Sequence, residues 1–239
     1  MGADDRRHRP PRWRPLPGGE PLPDDGHEAL NLAAEELRYL LDRGYPSGPA
    51  VRFVSDHRLL PREDRFILSR VAVPSALAAA RRNKRVPAER LAGRRIAIDG
   101  YNVLITAESL LSGASVYLCD DGFLRDARGI FRRYRSSEAT VPAISEVLSI
   151  LKESGVAGAE VILDQQISRS GELAATIQGM MVDFGVPGFA TTARDADRRL
   201  KVAPHPVATG DGAIIDVALE AVDLPAEVAK RRGISPLIL

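Results

Sequence analysis

Between residues 28 and 84 apolar side chains recur every three or four positions. Leu30, Ala33, Ala34, Leu37, Leu40 and Leu41 fall on one helical face, and Gly44-Tyr45-Pro46 marks its end. Ser47 is placed to cap a second helix, with Pro49 in the first turn and Val51 and Val54 turned inward. Pro61 opens a third, carrying Phe66, Ile67 and Val71, and Pro74-Ser75 precedes an alanine-rich run at 76–80. No strand-like alternation interrupts this region. The pattern predicts a three- or four-helix unit, marginal by itself and expected to pack on the C-terminal remainder of the chain.

From Gly93 the texture changes. Ile96-Ala97-Ile98 and Val161-Ile162-Leu163 are short unbroken apolar runs, as strands buried on both faces require. Helical stripes separate and follow them. Val141, Ile144, Leu148 and Leu151 form one, ended by Gly155; Leu173, Ile177, Met180, Met181 and Phe184 form another, ended by Gly185. Ala127, Ile130, Phe131 and Tyr134 predict a further helix, with Arg125, Arg128, Arg132 and Arg135 along a second face. Residues 188–191 and 206–208 read as short strands, 116–118 as a strand or hairpin arm, and 213–221 as a last helix. The final ten residues either tuck back or fray. Alternating strands and helices predict a mostly parallel sheet covered on both faces. The expected fold class is α/β: a three-layer α/β/α domain over 93–239, preceded by a small all-helical domain with a basic linker over 26–92.

Residues 1–25 contain six prolines and three glycines among mixed charges, which predicts a disordered tail rather than a secretory signal. No apolar run approaches the 18 or so residues of a membrane span, so the expectation is a cytoplasmic protein with no membrane partner. The formal charge is only +1, from 33 basic and 32 acidic residues, so any affinity for nucleic acid must come from local clustering. Residues 81–95 provide one: Arg81, Arg82, Lys84, Arg85, Arg90, Arg94 and Arg95 against a single Glu89. That run is either a solvated face or a phosphate contact. Cys119 is the only cysteine, which excludes an internal disulfide and a cysteine-rich zinc site. The chain has no phosphate-binding G-x-x-x-x-G-K-[ST], no H-E-x-x-H and no G-x-S-x-G. The first strand exit also lacks the dinucleotide-binding G-x-G-x-x-G.

What remains is carboxylate chemistry. Asp99 follows the first apolar run directly, Asp164 follows the second, and Asp211 follows the short strand at 206–208. The carboxyl ends of parallel strands are where open α/β sheets place ligands. Acids from several strand ends, joined by Asp197, suit a hard cation such as Mg2+ or Mn2+, which serves phosphodiester hydrolysis. Each acid also has a plain structural reading: Asp99 and Asp164 as Asx turns, Asp211 as a helix N-cap. Asp216 faces either the site or solvent, and Asp195 competes with Asp197. Asp121 belongs to an Asp120-Asp121-Gly122 turn, and Asp126 is expected to open the arginine-striped helix. Asn102 is expected either to bond loop backbone or to meet substrate. Tyr101 is either packing or a substrate platform.

Ile98-Asp99-Gly100-Tyr101-Asn102-Val103 resembles the opening of NYN-type members of the PIN-like nuclease superfamily. The resemblance continues through Val161-Ile162-Leu163-Asp164 and Ala196-Asp197-Arg198-Arg199-Leu200 to Val207-Ala208-Thr209-Gly210-Asp211. It implies a compact α/β/α fold and a magnesium- or manganese-dependent ribonuclease. It also implies Asp99, Asp164, Asp197 and Asp211 as catalytic metal ligands, with Asp121, Asp126 or Asp216 as further candidates. Residues 28–225 also resemble a prokaryotic group of domains of unknown function, numbers 434 and 5616. Leu41-Asp42-Arg43-Gly44-Tyr45-Pro46, Arg81-Arg82-Asn83-Lys84, Asp120-Asp121-Gly122 and Arg125-Asp126 carry that likeness. The leading expectation is therefore an endoribonuclease acting on RNA, with Asn102, Arg125, Arg128, Arg132, Arg81, Arg82 and Lys84 as substrate contacts. Two others stand beside it: a non-catalytic RNA-binding or interaction module on the same fold, and a small-molecule phosphatase.

Overall fold

The computed structural model describes residues 26–129 and 131–239. The expected tail at 1–25 lies outside the described residues, as do Ile130 and the side chains of His27 and Arg132. Four helices come first: α1 (Gly26–Leu41), α2 (Ser47–His57), α3 (Arg62–Val71) and α4 (Ser75–Lys84). The last three each start directly after a proline. Pro46, Pro61 and Pro74 hold extended backbone, and their carbonyls accept the first helical N–H at 3.0, 3.1 and 2.8 Å. Proline suits this place because it has no N–H to leave unpaired. Ser47, expected as a cap, is thus the first helical residue. Leu30, Ala33, Leu37 and Leu41 pack on Val51, Val54, Leu68 and Val71, and the same core takes in Tyr117 and Cys119 from the α/β region. The helical unit completes its core with side chains from outside itself, as a unit of this size must.

A mixed α/β region comes next. Its strands are β1 (Arg95–Asp99), β2 (Val116–Leu118), β3 (Leu124–Asp126), β4 (Gly158–Asp164), β5 (Gly188–Ala193), β6 (Val207–Ala208) and β7 (Ala221–Val222). Its helices are α5 (Gly100–Leu111), α6 (Thr140–Glu153), α7 (Ser170–Phe184), α8 (Ala196–Lys201), α9 (Gly212–Ile215) and α10 (Leu224–Arg232). Five strands form one sheet in the order β5-β4-β1-β6-β7, every pairing parallel. β2 and β3 form a separate antiparallel hairpin, and Leu237 pairs beside Tyr117. The C-terminal residues therefore tuck back. Alternation along the central strands assigns their faces: Ile96, Ile98, Val161 and Leu163 join the larger core with α5, α6 and α7. Ala97, Ile162 and Val207 meet Ala196, Leu200 and Ile214 from α8 and α9 on the other side. The arrangement is a general α/β/α one. Among the described residues no helix is long and apolar enough to cross a membrane.

Two expected elements differ, and one unassigned stretch proves helical. The arginine-striped helix over 125–135 does not form; the chain makes β3, a loop, and a 3-10 turn at Phe131–Arg133. Leu124 to Asp126 pair with β2, and Gly129 in left-handed backbone (φ 60°) prevents a helix from propagating. Asp126 consequently ends a strand instead of opening a helix. The helix expected over 213–221 stops at Ile215, and Ala221–Val222 joins the sheet edge instead. Gly100 opens α5 immediately, with no intervening loop.

The chain runs outward from β1 through β4 to β5, then crosses back to β6 and β7 on the other side. The topological switch point therefore lies between β1 and β6, where such sheets open a crevice at the strands' carboxyl ends.

Candidate active site at the sheet switch point

Asp99 ends β1 at that crevice and caps α5. One carboxylate oxygen accepts the Asn102 N–H at 3.4 Å, the other the Thr209 hydroxyl at 2.8 Å. Thr209 follows β6, so this bond spans the switch point. The Thr209 hydroxyl also accepts the Asp211 N–H at 3.0 Å, and the Asn102 carboxamide oxygen accepts the Gly210 N–H at 3.0 Å. Two strand exits are thereby stitched together by three side chains. On the other side Gly100 lets the start of α5 lie close to the end of β4: a β-carbon there would lie 2.5 Å from Leu163 Cδ2.

Asp99 is 9% exposed. Burial raises its pKa, the Thr209 and Asn102 bonds draw it back, and the charges of Asp211 and Asp197 push it up again, to about 7. Asp211 caps α9 through the Ala213 N–H at 2.8 Å. Asp164, at the end of β4, accepts the Gln166 N–H at 2.8 Å. Its charge adds to burial in raising the Tyr101 hydroxyl to about 12. Asp197, in the first turn of α8, is exposed and has no hydrogen bond or ion pair among the described residues. Asp99, Asp197 and Asp211 are thus electrostatically coupled, while Asp164 is felt at the neighbouring Tyr101. None of the four is ion-paired among the described residues. Nor do any three His, Cys, Asp or Glu side chains among those residues cluster closely enough to enclose a metal ion.

The other expected acids are engaged elsewhere. Asp121, 0% exposed, receives Arg81 at 2.9 Å and Arg125 at 2.8 and 2.7 Å. Burial alone would raise its pKa, but the two guanidinium groups hold it below the ordinary carboxylate value. Asp216 pairs with Arg81 at 2.7 Å, and Asp126 accepts the Arg128 N–H at 2.9 Å. Asp195, the alternative to Asp197, pairs with Arg199 at 3.2 Å.

Several basic residues expected at substrate turn inward instead. Arg81 is only 8% exposed and divides its donors between Asp121 and Asp216. Lys84 donates to the Ile215 and Asp216 carbonyls at 3.0 and 2.6 Å, and Arg82 to the Asp120 carbonyl. These three fasten α4 to α9 and to the hairpin turn. Arg125 is buried between Asp121 and the Gly210 carbonyl, which it reaches at 2.6 Å. Arg128 donates to the Ile105 carbonyl at 3.0 Å. The run of contacts from Arg81 through Asp121 and Arg125 to Gly210 links the helical unit to the loop that carries Asp211. Sequence reasoning places Thr209 within the resemblance over 207–211 but gives it no role.

The fold and the carboxylate rim define a parallel α/β/α protein with a coupled acid site at its switch point and a helical unit docked beside it. Residues 88–227 match the family described as "Domain of unknown function (DUF5616)", and the chain belongs to that family. Residues 29–84 match "Protein of unknown function (DUF434)". The chain is 35% identical over 201 residues to the uncharacterized protein MJ0935 of Methanocaldococcus jannaschii, a match covering 83% of this chain and 96% of that one.

Proposed function

We propose that this protein is a divalent-metal-dependent nuclease of PIN-like type, cleaving RNA internally at the switch-point rim. One observation carries the reading: a buried Asp99 feels the negative charges of Asp197 and Asp211, and among the described residues no cationic side chain is paired to any of the three. A protein seldom keeps such repulsion where it has no use, and perturbed carboxylates in a cleft are a mark of functional sites. The donor set fits a magnesium or manganese ion in kind, because every group offered is an oxygen. Asp99, Asp164, Asp197 and Asp211 would have to turn toward one another to hold it, with Asp197 the acid freest to do so. A bound ion of this type polarises the phosphate and supplies a hydroxide-like water. Thr209 fixes the Asp99 carboxylate in one orientation. Asn102 and Arg125 hold Gly210 from its two polar sides, and so keep Asp211 at the rim.

The test is cleavage of end-labelled RNA, structured and unstructured, with magnesium, manganese or chelator. D99N and D211N should each lose metal-dependent cleavage by orders of magnitude while remaining folded; full activity in D99N sinks the proposal. A second reading, a non-catalytic RNA-binding module on the same fold, is favoured by the absence of a closed three-acid cluster among the described residues. RNA binding that persists in chelator, with no cleavage under either metal, would select it.

A further inference from the structure

A groove of about 1010 Å3 runs beside the rim. One wall is the segment entering α6, with Arg133, Arg135 and Ser136; the other is the segment entering α7, with Ser168 and Arg169. Tyr101 contributes to its lining and is also the residue that feels the charge of Asp164. Tyr101 stands two residues after Asp99 and Ser168 four after Asp164, so this inner end of the groove lies toward the strand exits that carry those acids.

Its lining is predominantly basic, three arginines against Glu172. Arg133 and Arg135 are exposed and make no ion pair or hydrogen bond among the described residues. Arg169 has only Glu172 at 3.9 Å, with both side chains mostly in solvent, a contact too loose and too wet to neutralise it. The acid beneath the groove, Glu108, is occupied by the Tyr134 hydroxyl at 2.5 Å and the Thr140 hydroxyl at 2.6 Å. The segments bearing these arginines lead into the N-termini of two long helices, neither of which has a side-chain cap. The positive ends of their dipoles add to the arginine field. Arg169 itself sits in left-handed backbone (φ 62°), which non-glycine residues seldom adopt. Beside the groove Phe131, 37% exposed, packs edge-on against Tyr101 at 5.9 Å between ring centroids.

We propose that this groove binds single-stranded polynucleotide, with backbone phosphates on Arg133, Arg135 and Arg169 and a base against the exposed part of Phe131. A row of arginines with at most one loose counter-charge, beside an open aromatic ring, is the combination that single strands require, because only an unpaired base can stack. The proposal deepens the nuclease reading by supplying the track along which a strand reaches the rim. It depends on that reading only for what happens at the inner end.

The test uses the full-length protein in chelator, so that binding is read without cleavage. Fluorescein-labelled 12-nucleotide RNA, the same sequence as DNA, and the blunt duplex are titrated by anisotropy at several salt concentrations. R133Q/R135Q/R169Q should weaken single-strand binding by about tenfold or more at low salt. It should also lower the salt slope by about two, since each phosphate contact on a single strand contributes about 0.7. F131A should weaken binding by about fivefold or more with the slope unchanged. R52Q, on the exposed side of α2, should change neither. Thermal melts establish that each variant is folded; should the triple variant fail, R169Q alone and F131A carry the test. Wild-type affinity and slope in the arginine variants, no binding by the wild type, or a wild-type preference for duplex would each overturn the proposal. RNA and DNA bound alike support backbone recognition, and a large RNA preference overturns the view that phosphates and stacking suffice. Groove-dependent binding without cleavage under magnesium or manganese would remove the nuclease reading and leave the groove standing; cleavage indifferent to these variants would do the reverse.

Discussion

Replacing Asp99 with asparagine should stabilise the protein, by an amount that grows with pH. The wild-type carboxyl has a folded-state pKa of about 7 against an ordinary 3.8. Below the lower value both states are protonated and the site carries no penalty. As pH rises, the unfolded chain ionises first, so the folded state loses stability until it too ionises near pH 7. A difference of about three units at 1.36 kcal/mol each gives at most about 4 kcal/mol. Asparagine keeps the shape, can still accept the Asn102 N–H and can donate to the Thr209 hydroxyl. D99N should therefore exceed wild type by about 1 kcal/mol at pH 4.5 and by about 4 kcal/mol at pH 8. For a chain of this length that is roughly a 10 °C rise in Tm at the higher pH. Urea denaturation of both proteins in chelator across this range measures it. Asp223, also buried and raised to about 6, is common to both and cancels in the difference. A difference that does not change with pH would refute the assignment of Asp99 as a buried, destabilised charge. Manganese or magnesium at pH 8 should restore wild-type stability and leave D99N unmoved; equal shifts in both would place the ion elsewhere.

Other outcomes rest on single contacts. Asp121→Asn leaves Arg125 buried without a counter-charge and Arg81 with Asp216 alone, and should cost about 3–5 kcal/mol in denaturant unfolding; a loss under 1 kcal/mol would show that water or another group compensates. Gly188→Ala should prevent soluble folding, because a β-carbon there would lie 1.9 Å from the Ala159 carbonyl oxygen. Gly179→Ala, exposed inside α7 with nothing within 4 Å, should instead add about 0.5–1 kcal/mol. Cys119 is buried, and burial pushes its thiol up to about 11. It should resist thiol reagents at pH 8 in the native protein and react once urea is added; rapid native labelling would contradict its burial.

The central strands were legible because a strand buried on both faces has nowhere to put a polar residue. Ile96-Ala97-Ile98 and Val161-Ile162-Leu163 are therefore continuous, and the aspartates that end them stand out. α5 was hidden for the same reason. It is buried on nearly every side, from Val103 through Leu110, so it carries no amphipathic stripe to betray its period. The arginines at 125, 128, 132 and 135 misled in the opposite direction. Their spacing suits a helix, but Arg125 is a buried tie between Asp121 and Gly210, and its neighbours follow the hairpin and the loop after it. α10 escaped notice although Asp223-Leu224-Pro225 is an ordinary start, a capping acid with proline in the first turn. Thr209 stood inside the resemblance over 207–211, but its role was beyond reach, since it lies in a bond across 110 positions to Asp99.

The same limit separates the acids. Asp121 and Asp99 look alike in sequence: each adjoins a glycine, and each is buried. Asp121 is surrounded by Arg81 and Arg125, so its charge is stable where it stands and serves to join α4 to the Asp211 loop. Asp223 is buried too, but two backbone N–H groups and the more distant charges of Arg85 and Arg125 favour its ionised form. Asp99 has two hydrogen bonds, and the charges that act on it are negative. Cations from the chain were available nearby, since Arg125 reaches the Gly210 carbonyl only one residue from Thr209. That guanidinium is instead committed to Asp121. Asp121 is neutralised by two guanidinium groups, whereas the charges that act on Asp99 are negative, and such a carboxylate is suited to a positive partner from solution. Moving the compensation inside tests this: Thr209→Lys would bring an ammonium to Asp99, and it should lower that carboxyl's pKa, remove the pH-dependent penalty seen in urea, and abolish both metal stabilisation and cleavage. A T209K protein that still gains stability from manganese at pH 8 would show that the missing charge was never the reason for the site.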